Sequence, residues 1–138
     1  MEKETYIMLI LSEEMKEMVG KQLPFLATAD EHGVPKVGPK GSLHVLDDSH
    51  LVYFEHTFRH AYHNIQQNNY AAVAVADREA QKGFRFEGTA RIYENDSVSK
   101  KYLPPKIFDR FPRAAVVIID VEHIFKLDNT LEAGTQIS

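Results

Sequence analysis

Two short segments of the sequence combine residue types that suit the binding of an anion. They are Lys40-Gly41-Ser42 and Thr57-Phe58-Arg59-His60, and the second opens a predicted helix. The first turn of a helix attracts anions because its backbone N–H groups are free and its dipole end is positive. Lysine, arginine and hydroxyl side chains add donors, and glycine lets a phosphate or a flat ring approach the backbone. Hairpin geometry should bring the two segments together, so the sequence indicates a site for a phosphorylated ligand.

The same two segments also fit a purely structural interpretation. Gly38-Pro39-Lys40-Gly41-Ser42 is typical of a bulged edge strand, because proline has no N–H to donate to a sheet. Arg59 and His60 also suit the solvated first turn of a helix. Motif matches of this length are weak, so spacing alone favours the structural interpretation.

Histidines are concentrated in the same region. Five of the seven lie between residues 44 and 63, and His56, His60 and His63 have a spacing at which helical side chains can share a metal. However, His56 precedes the predicted helix, no glutamate completes an HExxH pattern, and the chain has no cysteine. We therefore expect solvated or ligand-adjacent histidines and no metal site.

Hydrophobic periodicity predicts the elements that position these residues. The predicted strands cover residues 24–30, 34–46, 50–56, 70–77, 83–93 and 113–127. Helices are predicted after Ser12, over residues 57–68 with Thr57 as the cap, and after Asp96, where Pro104-Pro105 breaks the pattern. Six strands without repeated strand–helix units favour a closed or partly closed barrel, because closure removes exposed edges. The polar tail, residues 128–138, is predicted to be loosely ordered.

Length and charge restrict the class of protein. A chain of 138 residues predicts one domain, with a core over residues 12–127. A formal charge of −4, from 16 Lys and Arg against 20 Asp and Glu, argues against a nucleic-acid partner. No apolar run approaches the ~18 residues that span a bilayer, and the apolar stretch at residues 6–11 is shorter than a secretory signal core. We expect a cytoplasmic protein without a membrane partner.

The order of segments along the chain resembles the pyridoxamine-phosphate-oxidase-like split-barrel family, and it is most similar to the small members that bind flavin mononucleotide (FMN). The matching segments are PFLATADEHGVPKVGPKGSLHVLDDSHLVYFEH, RHAYHNIQQN, YAAVAVAD, GFRFEGTARIY and RAAVVIIDVEHIF. The resemblance covers roughly residues 12 to 127. It implies a mainly β fold, a six-stranded split β-barrel of Greek-key type with short peripheral helices. It also implies a homodimer with FMN at the subunit interface.

The resemblance further implies which residues contact the cofactor. Lys40, Gly41 and Ser42 match the strand that lines the flavin and its ribityl phosphate. Phe54 and Glu55 match strand positions along the ring edge. Arg59 and His60 match the basic start of the phosphate-binding helix, and Asn64 lies one turn into it. Gly83, Phe84 and Arg85 match a strand that reaches back to the cofactor, and Phe111 matches an aromatic position near the flavin. The anion-binding pattern adds Thr57 to this set.

Two departures from the family pattern affect the expected function. Relatives commonly have Lys or Arg at the position of His60 and Thr or Lys at that of Ala61, which weakens the phosphate site unless Arg59 substitutes. True pyridoxamine phosphate oxidases also have a substrate-binding C-terminal extension, to which none of the matching segments corresponds. We therefore do not expect the oxidation of pyridoxamine phosphate.

The sequence therefore predicts an FMN-dependent oxidoreductase that exchanges electrons with a small-molecule donor or acceptor. Lys40 is expected to favour a negatively charged reduced flavin, and no residue is assigned as a catalytic acid, base or nucleophile. The alternative is a non-catalytic module that binds FMN, haem or a deazaflavin. Some split-barrel relatives bind haem, for which His56 or His123 could supply an axial ligand.

Overall fold

Four helices and seven strands form in residues 9–138, the part of the chain that the computed structural model describes. The helices are α1 (Glu13–Lys21), α2 (His60–Asn68), α3 (Ser97–Tyr102) and α4 (Pro105–Arg110). The strands are β1 (Phe25–Ala29), β2 (Pro35–Pro39), β3 (His44–Val45), β4 (His50–Glu55), β5 (Tyr70–Asp77), β6 (Lys82–Tyr93) and β7 (Ala115–Lys126). None of these helices has the length and apolar composition needed to cross a bilayer. Half of the apolar stretch at residues 6–11, namely residues 6–8, lies outside the described residues.

The seven strands form one antiparallel sheet in the order β2-β1-β5-β6-β7-β4-β3. Strands β2 and β3 are consecutive in the chain but lie at opposite edges of the sheet. Only residues 40–43 connect them, and such a link spans at most about 18 Å. The sheet must therefore curl until its two edges approach each other, which confirms the expected mainly β, split-barrel fold.

The sheet contains seven strands because the predicted strand over residues 34–46 divides in two. The prediction of a single strand was wrong, while the predicted edge position of Gly38-Pro39 was confirmed, since β2 is an edge strand. Strand β2 pairs with β1 as far as Pro39, opposite Phe25. The chain then turns, since the N–H of Lys40 donates to the Pro24 carbonyl (2.9 Å) and that of Leu43 to the Lys40 carbonyl (3.1 Å). Lys40-Gly41-Ser42 thus forms the turn that joins the two edges of the sheet.

The core follows from strand alternation and one amphipathic helix. On β6 the inward residues Phe84, Phe86, Gly88 and Ala90 are buried, as the alternating pattern predicts. Helix α1 begins at a capping box in which the Ser12 side chain accepts from the Met15 N–H, and its apolar stripe is buried against the sheet. The stripe consists of Leu11, Met15, Met18 and Val19.

The end of the chain pairs with β7 instead of lying free. The Ile124 N–H donates to the Ser138 carbonyl and the Ile137 N–H to that of Ile124, both at 2.9 Å. Phe125 and Gln136 form an additional antiparallel bridge. The prediction of a loosely ordered tail was therefore wrong, because backbone hydrogen bonds hold these polar, exposed residues.

Candidate functional site

A cavity of about 620 Å³ opens beside the turn that joins β2 to β3. We call it the aromatic cavity, because three ring-bearing residues line it: Phe54, His56 and Phe111. The rings of His56 and Phe111 are stacked, with centroids 4.0 Å apart and an interplanar angle of 10°. The remaining lining residues are Pro39, Lys40, Gly41, Ser42, Glu55, Thr57, Ile107 and Arg110. Such a cavity has room for a flat aromatic ligand.

A second, smaller cavity of about 240 Å³ lies on the other side of Lys40 and Thr57. We call it the basic cavity, since Lys36, Lys40, Arg59 and His60 all line it and no carboxylate does. The two cavities share Pro39, Lys40 and Thr57. A ligand extending past these residues would have a flat group on one side and an anionic group on the other.

The cations of both cavities form no direct ion pair among the described residues, although Lys36 lies close enough to the Asp30 carboxylate to interact with it at longer range. Lys36, Lys40, Arg59 and Arg110 make no ion pair with any residue in the described part of the chain. The protein as a whole carries a formal charge of −4, so this is a local positive region on an acidic molecule. An anionic ligand can supply the missing counter-charge.

Lys40 lies over an aromatic ring that does not neutralise it. Its Nζ atom is 5.1 Å from the centroid of the Tyr53 ring, a cation–π distance. Burial, and secondarily the nearby Glu55 charge, raise the pKa of Tyr53 well above its usual value. The phenol therefore stays neutral, and the charge of Lys40 remains available to a ligand.

Ser42 retains a hydrogen-bond donor that faces the aromatic cavity. Its Oγ atom accepts a hydrogen bond from the Phe54 backbone N–H at 3.0 Å. Because a hydroxyl has one proton and two lone pairs, the proton is left for a ligand. The same bond ties the turn at residues 40–43 to strand β4.

Glu55 fixes the segment that leads into α2. The side chain is 2% exposed, and its Oε2 accepts from the Thr57 N–H (3.0 Å), the Thr57 hydroxyl (3.2 Å) and the Phe58 N–H (3.0 Å). The predicted helix cap at Thr57 was wrong, since α2 begins at His60 and its N-cap residue, Arg59, makes no side-chain cap bond. A carboxylate two residues upstream holds Thr57 where both cavities meet.

Phe58 is held from its other side by Arg113. Phe58 has a φ of 52°, in the left-handed region that disfavours bulky residues. The Arg113 guanidinium lies 3.8 Å from the Phe58 ring centroid and also donates to the Tyr62 hydroxyl of α2 (3.2 Å). Glu94 orients it by accepting from its Nε (2.6 Å) and Nη2 (2.8 Å). Glu55 and Arg113 together fix the strained approach to α2.

Acid should weaken the ion pair between Glu94 and Arg113. Hydrogen bonds from Arg113 hold the pKa of Glu94 below its ordinary value of 4.5. The stabilisation is therefore complete above pH 4.5 and is lost as pH falls through the lower, folded-state pKa. We expect the melting temperature of the Glu94→Gln variant to lie below that of the unaltered protein at pH 7, with a difference that shrinks in stronger acid. Thermal unfolding across pH 3 to 7 measures this, with the exposed Glu122→Gln as control; a pH-independent difference would contradict it.

Comparison with known proteins identifies the family. The sequence profile of pyridoxamine 5'-phosphate oxidase matches residues 11–128. The chain belongs to the pyridoxamine 5'-phosphate oxidase family. It is 30% identical over 136 residues to an uncharacterised protein of Methanocaldococcus jannaschii, covering 93% of this chain and 88% of that protein.

Three solved structures agree with this chain in fold. HupZ of Group A Streptococcus has a TM-score of 0.80 and 34% identity, over 94% of this chain and 100% of that chain. A candidate pyridoxamine 5'-phosphate oxidase from Lactobacillus delbrueckii has a TM-score of 0.77 and 39% identity, over 86% and 95%. An FMN-binding protein from Syntrophomonas wolfei shares the fold at 13% identity (TM-score 0.67; 83% and 84% covered). The resemblance predicted from the sequence is confirmed.

The structure brings together most of the site residues predicted from the family resemblance and from the anion-binding pattern. Lys40, Gly41, Ser42, Phe54, Glu55, Thr57 and Phe111 all line the aromatic cavity. Arg59 and His60 line the basic cavity. Asn64 is buried behind it, where its Nδ2 donates to the Thr28 hydroxyl at 3.1 Å. Thr28 itself lines the basic cavity, so Asn64 orients one of its walls.

Gly83, Phe84 and Arg85 line neither cavity of this chain. Phe84 points into the core, while Arg85 pairs with Glu87 (2.7 Å) and lies over the Phe125 ring at 4.3 Å. Their expected contact with a cofactor stays a prediction. Within residues 9–138, no three metal-ligating side chains are grouped to hold an ion.

Three residues that line the cavities were not predicted from the sequence: Lys36, Ile107 and Arg110. Period-two alternation could have found Lys36, since it lies two and four residues before Gly38 and Lys40 and so on the same strand face. No local pattern marks Ile107 or Arg110, which helix α4 brings to the cavity through tertiary packing.

Proposed function

We propose that the protein is a cytoplasmic, homodimeric flavoprotein that binds FMN and acts as an oxidoreductase. It would exchange electrons with a small-molecule donor or acceptor. The observation that carries this proposal is the union of an aromatic and a basic cavity at Lys40 and Thr57. FMN has the matching shape, a flat ring system joined by a ribityl chain to a phosphate.

The aromatic cavity fits the ring end of FMN. Its volume of about 620 Å³ lies within the roughly 300 to 1,000 Å³ usual for cofactor sites. Phe54 and the stacked pair of His56 and Phe111 offer flat apolar surfaces, and Gly41 has open space where a Cβ would stand. Ser42 would donate a hydrogen bond through its free proton.

The basic cavity fits the phosphate end. Lys36, Lys40 and Arg59 supply three fixed positive charges around it, and His60 adds a ring nitrogen. A phosphate monoester carries about two negative charges at neutral pH, so the fixed cations more than balance it. Arg59, as the N-cap residue of α2, takes the place of the basic residue that relatives have where this chain has His60.

Bound FMN would supply the redox chemistry, while this chain's residues bind and orient it. Lys40, between the two cavities, would stabilise negative charge that develops on the ring. Glu55 would keep Thr57 and the following N–H groups in position. In this proposal the protein contributes positioning and electrostatics.

The outer face of the sheet is suited to bind a second copy of the chain. Phe25, Val37 and Tyr70 are 42%, 73% and 67% exposed. They flank Ala27 and Ala72 on one face, as the register Val37–Ala27–Ala72 shows. An exposed apolar patch of this kind is typical of a protein interface. Arg85 lies on this face, opposite Ala74, which supports a contact with the cofactor of the neighbouring subunit.

Titration of the purified protein with FMN tests the proposal. We expect saturation near one FMN per chain, with a flavin absorption spectrum that changes on binding, and a sedimentation mass near twice 15.8 kDa. A protein that gains no flavin would contradict the proposal. Reduction by NADH or NADPH and transfer to an acceptor supports the enzyme; tight FMN binding without turnover supports the non-catalytic module.

Haem is the second candidate ligand, because His56 lies in the wall of the aromatic cavity. Haem and deazaflavin titrations of the same preparation distinguish these alternatives. An intense Soret band that the His56→Ala variant loses would favour a haem-binding module.

A further inference from the structure

We propose that the outer surface of helices α3 and α4 is a docking site for an acidic electron-carrier protein. This inference rests on the proposed binding of FMN and adds a protein to the small molecule that exchanges electrons with it. We call this surface the basic face and define it by Lys100 and Lys101 of α3 and by Lys106 and Phe108 of α4, all of which are exposed. Three observations lead to it.

The first observation is the charge of the segment that forms the basic face. Residues 97–112 contain four cations and one carboxylate, Asp109, although the whole chain carries a formal charge of −4. The four cations are Lys100, Lys101, Lys106 and Arg110, and they make no ion pair with any residue among 9–138. A positive region on an acidic protein attracts and orients a partner of opposite charge.

The second observation is the position of α4 between the basic face and the aromatic cavity. Ile107 and Phe111 line the cavity, whereas Lys106 and Phe108 are exposed to solvent. A helix with its side chains is about 10 to 12 Å across. A carrier docked on α4 would therefore lie about one helix away from a flavin ring in the cavity, which is close enough for electrons to pass between the two proteins.

The third observation is the exposed aromatic ring among these cations. Phe108 is 50% exposed, and aromatic residues are enriched at the centre of protein interfaces. Helices α3 and α4 have six residues each, so the basic face is small. A small surface suits the transient encounters of electron-transfer proteins, which bury less area than stable complexes do.

The charge distribution favours a compact acidic protein over a nucleic acid or a membrane. An extended polyanion is bound by many cations spread along the surface that it contacts. Outside residues 97–112 this chain has more carboxylates than lysines and arginines, which would repel such a surface. A compact partner can contact the basic face alone.

The expected step is the reduction of one bound FMN by two molecules of a one-electron carrier. Each carrier gives up one electron, and one proton from solvent completes the negatively charged reduced flavin that Lys40 would stabilise. The electron pair then passes to the small-molecule acceptor together with that proton and a second proton from solvent, which restores the oxidised flavin.

Reduced plant-type ferredoxin tests the proposal, because it is a small acidic protein that carries one electron. It is mixed in excess with the FMN-loaded protein under anaerobic stopped flow, and the absorbance change of the flavin and the iron–sulfur cluster gives a second-order rate constant. We expect this constant to fall as salt rises, since salt screens the attraction. In Lys100→Gln/Lys106→Gln it should fall roughly tenfold at low salt, while FMN affinity stays within about twofold, because neither lysine lines a cavity.

The matched control is Lys21→Gln/Arg78→Gln, which removes two positive charges from exposed residues outside α3, α4 and both cavities. It should keep the rate constant with ferredoxin within about twofold. Oxidation of the reduced protein by cytochrome c, a basic carrier, is a second control. That reaction should not slow in Lys100→Gln/Lys106→Gln, whereas damage to the flavin site would slow the reactions of both carriers.

A rate constant with ferredoxin that ignores salt, or that is unchanged in Lys100→Gln/Lys106→Gln, would overturn the inference while FMN binding stands. Sedimentation of the protein with phosphatidylglycerol vesicles that depends on the same two lysines would also overturn it, because the basic face would then bind a membrane. A protein that binds no FMN would overturn the proposed function and this inference with it.

Discussion

The Lys40→Ala variant is expected to bind FMN roughly 10- to 150-fold more weakly than the unaltered protein. Lys40 is the charged residue that lines both cavities, so its loss removes a contact to the phosphate and the positive charge near the ring. A charge-assisted hydrogen bond of this type contributes about 1.5 to 3 kcal/mol, which corresponds to that range of affinity. Fluorescence or absorbance titration with FMN measures the change.

Two further variants show whether the effect belongs to the site. Lys21→Ala removes the same charge from the exposed end of α1, where Lys21 contacts only Glu17 among the ion pairs of the described residues, and it should leave FMN affinity unaltered. Arg59→Ala should weaken binding within the same range as Lys40→Ala. If both cavity variants bound FMN as well as the unaltered protein does, the assignment of the phosphate to the basic cavity would be wrong.

The Gly88→Ala variant is expected to lose more than about 4 kcal/mol of folding free energy. Gly88 lies at the bulge where the register of β6 against β7 shifts. A Cβ atom there would overlap the backbone carbonyl oxygen of Asp120. Backbone atoms in the middle of a paired strand cannot move aside without breaking the ladder, so the clash would force the two longest strands apart.

Urea denaturation measures this loss, or, where the variant does not fold, a circular dichroism spectrum without native signal. Gly20→Ala is the control, since Gly20 lies within α1 and a Cβ there meets no atom within 4 Å. That substitution should stabilise the protein by about 0.5 to 1 kcal/mol through helix propensity. A Gly88→Ala protein within about 1 kcal/mol of the unaltered one would show that the bulge can relax.

Strand alternation and helix periodicity were sufficient to predict most of the elements. Strand β5 has the predicted limits, and the buried face of β6 is the one that alternation indicates. The division of the segment 34–46 could not be predicted, because its cause is the pairing of its two halves with opposite edges of the sheet. Propensity describes single strands and contains no information about which edge each one meets.

The site was predictable where ordered segments match the family and unpredictable where side chains meet by tertiary packing. Thr57 was assigned to the site from a capping pattern, and it does line both cavities. Its predicted role as the helix cap was wrong. Its N–H donates to the side chain of Glu55, and α2 begins at His60 with Arg59 as the N-cap residue. Arg110 was missed because only the packing of α4 brings it to the aromatic cavity.

The turn at residues 40–43 both joins the two edges of the sheet and lines the proposed cofactor site. A ligand held there would hold the two edges of the sheet together, because it would contact both the turn and strand β4. Ligand binding and closure of the barrel would then be thermodynamically linked. Binding of the ligand would raise the protein's resistance to unfolding, and separation of the two sheet edges would release the ligand. Cofactor release and the loss of the sheet should accordingly coincide on heating, and excess FMN should raise the temperature at which both occur.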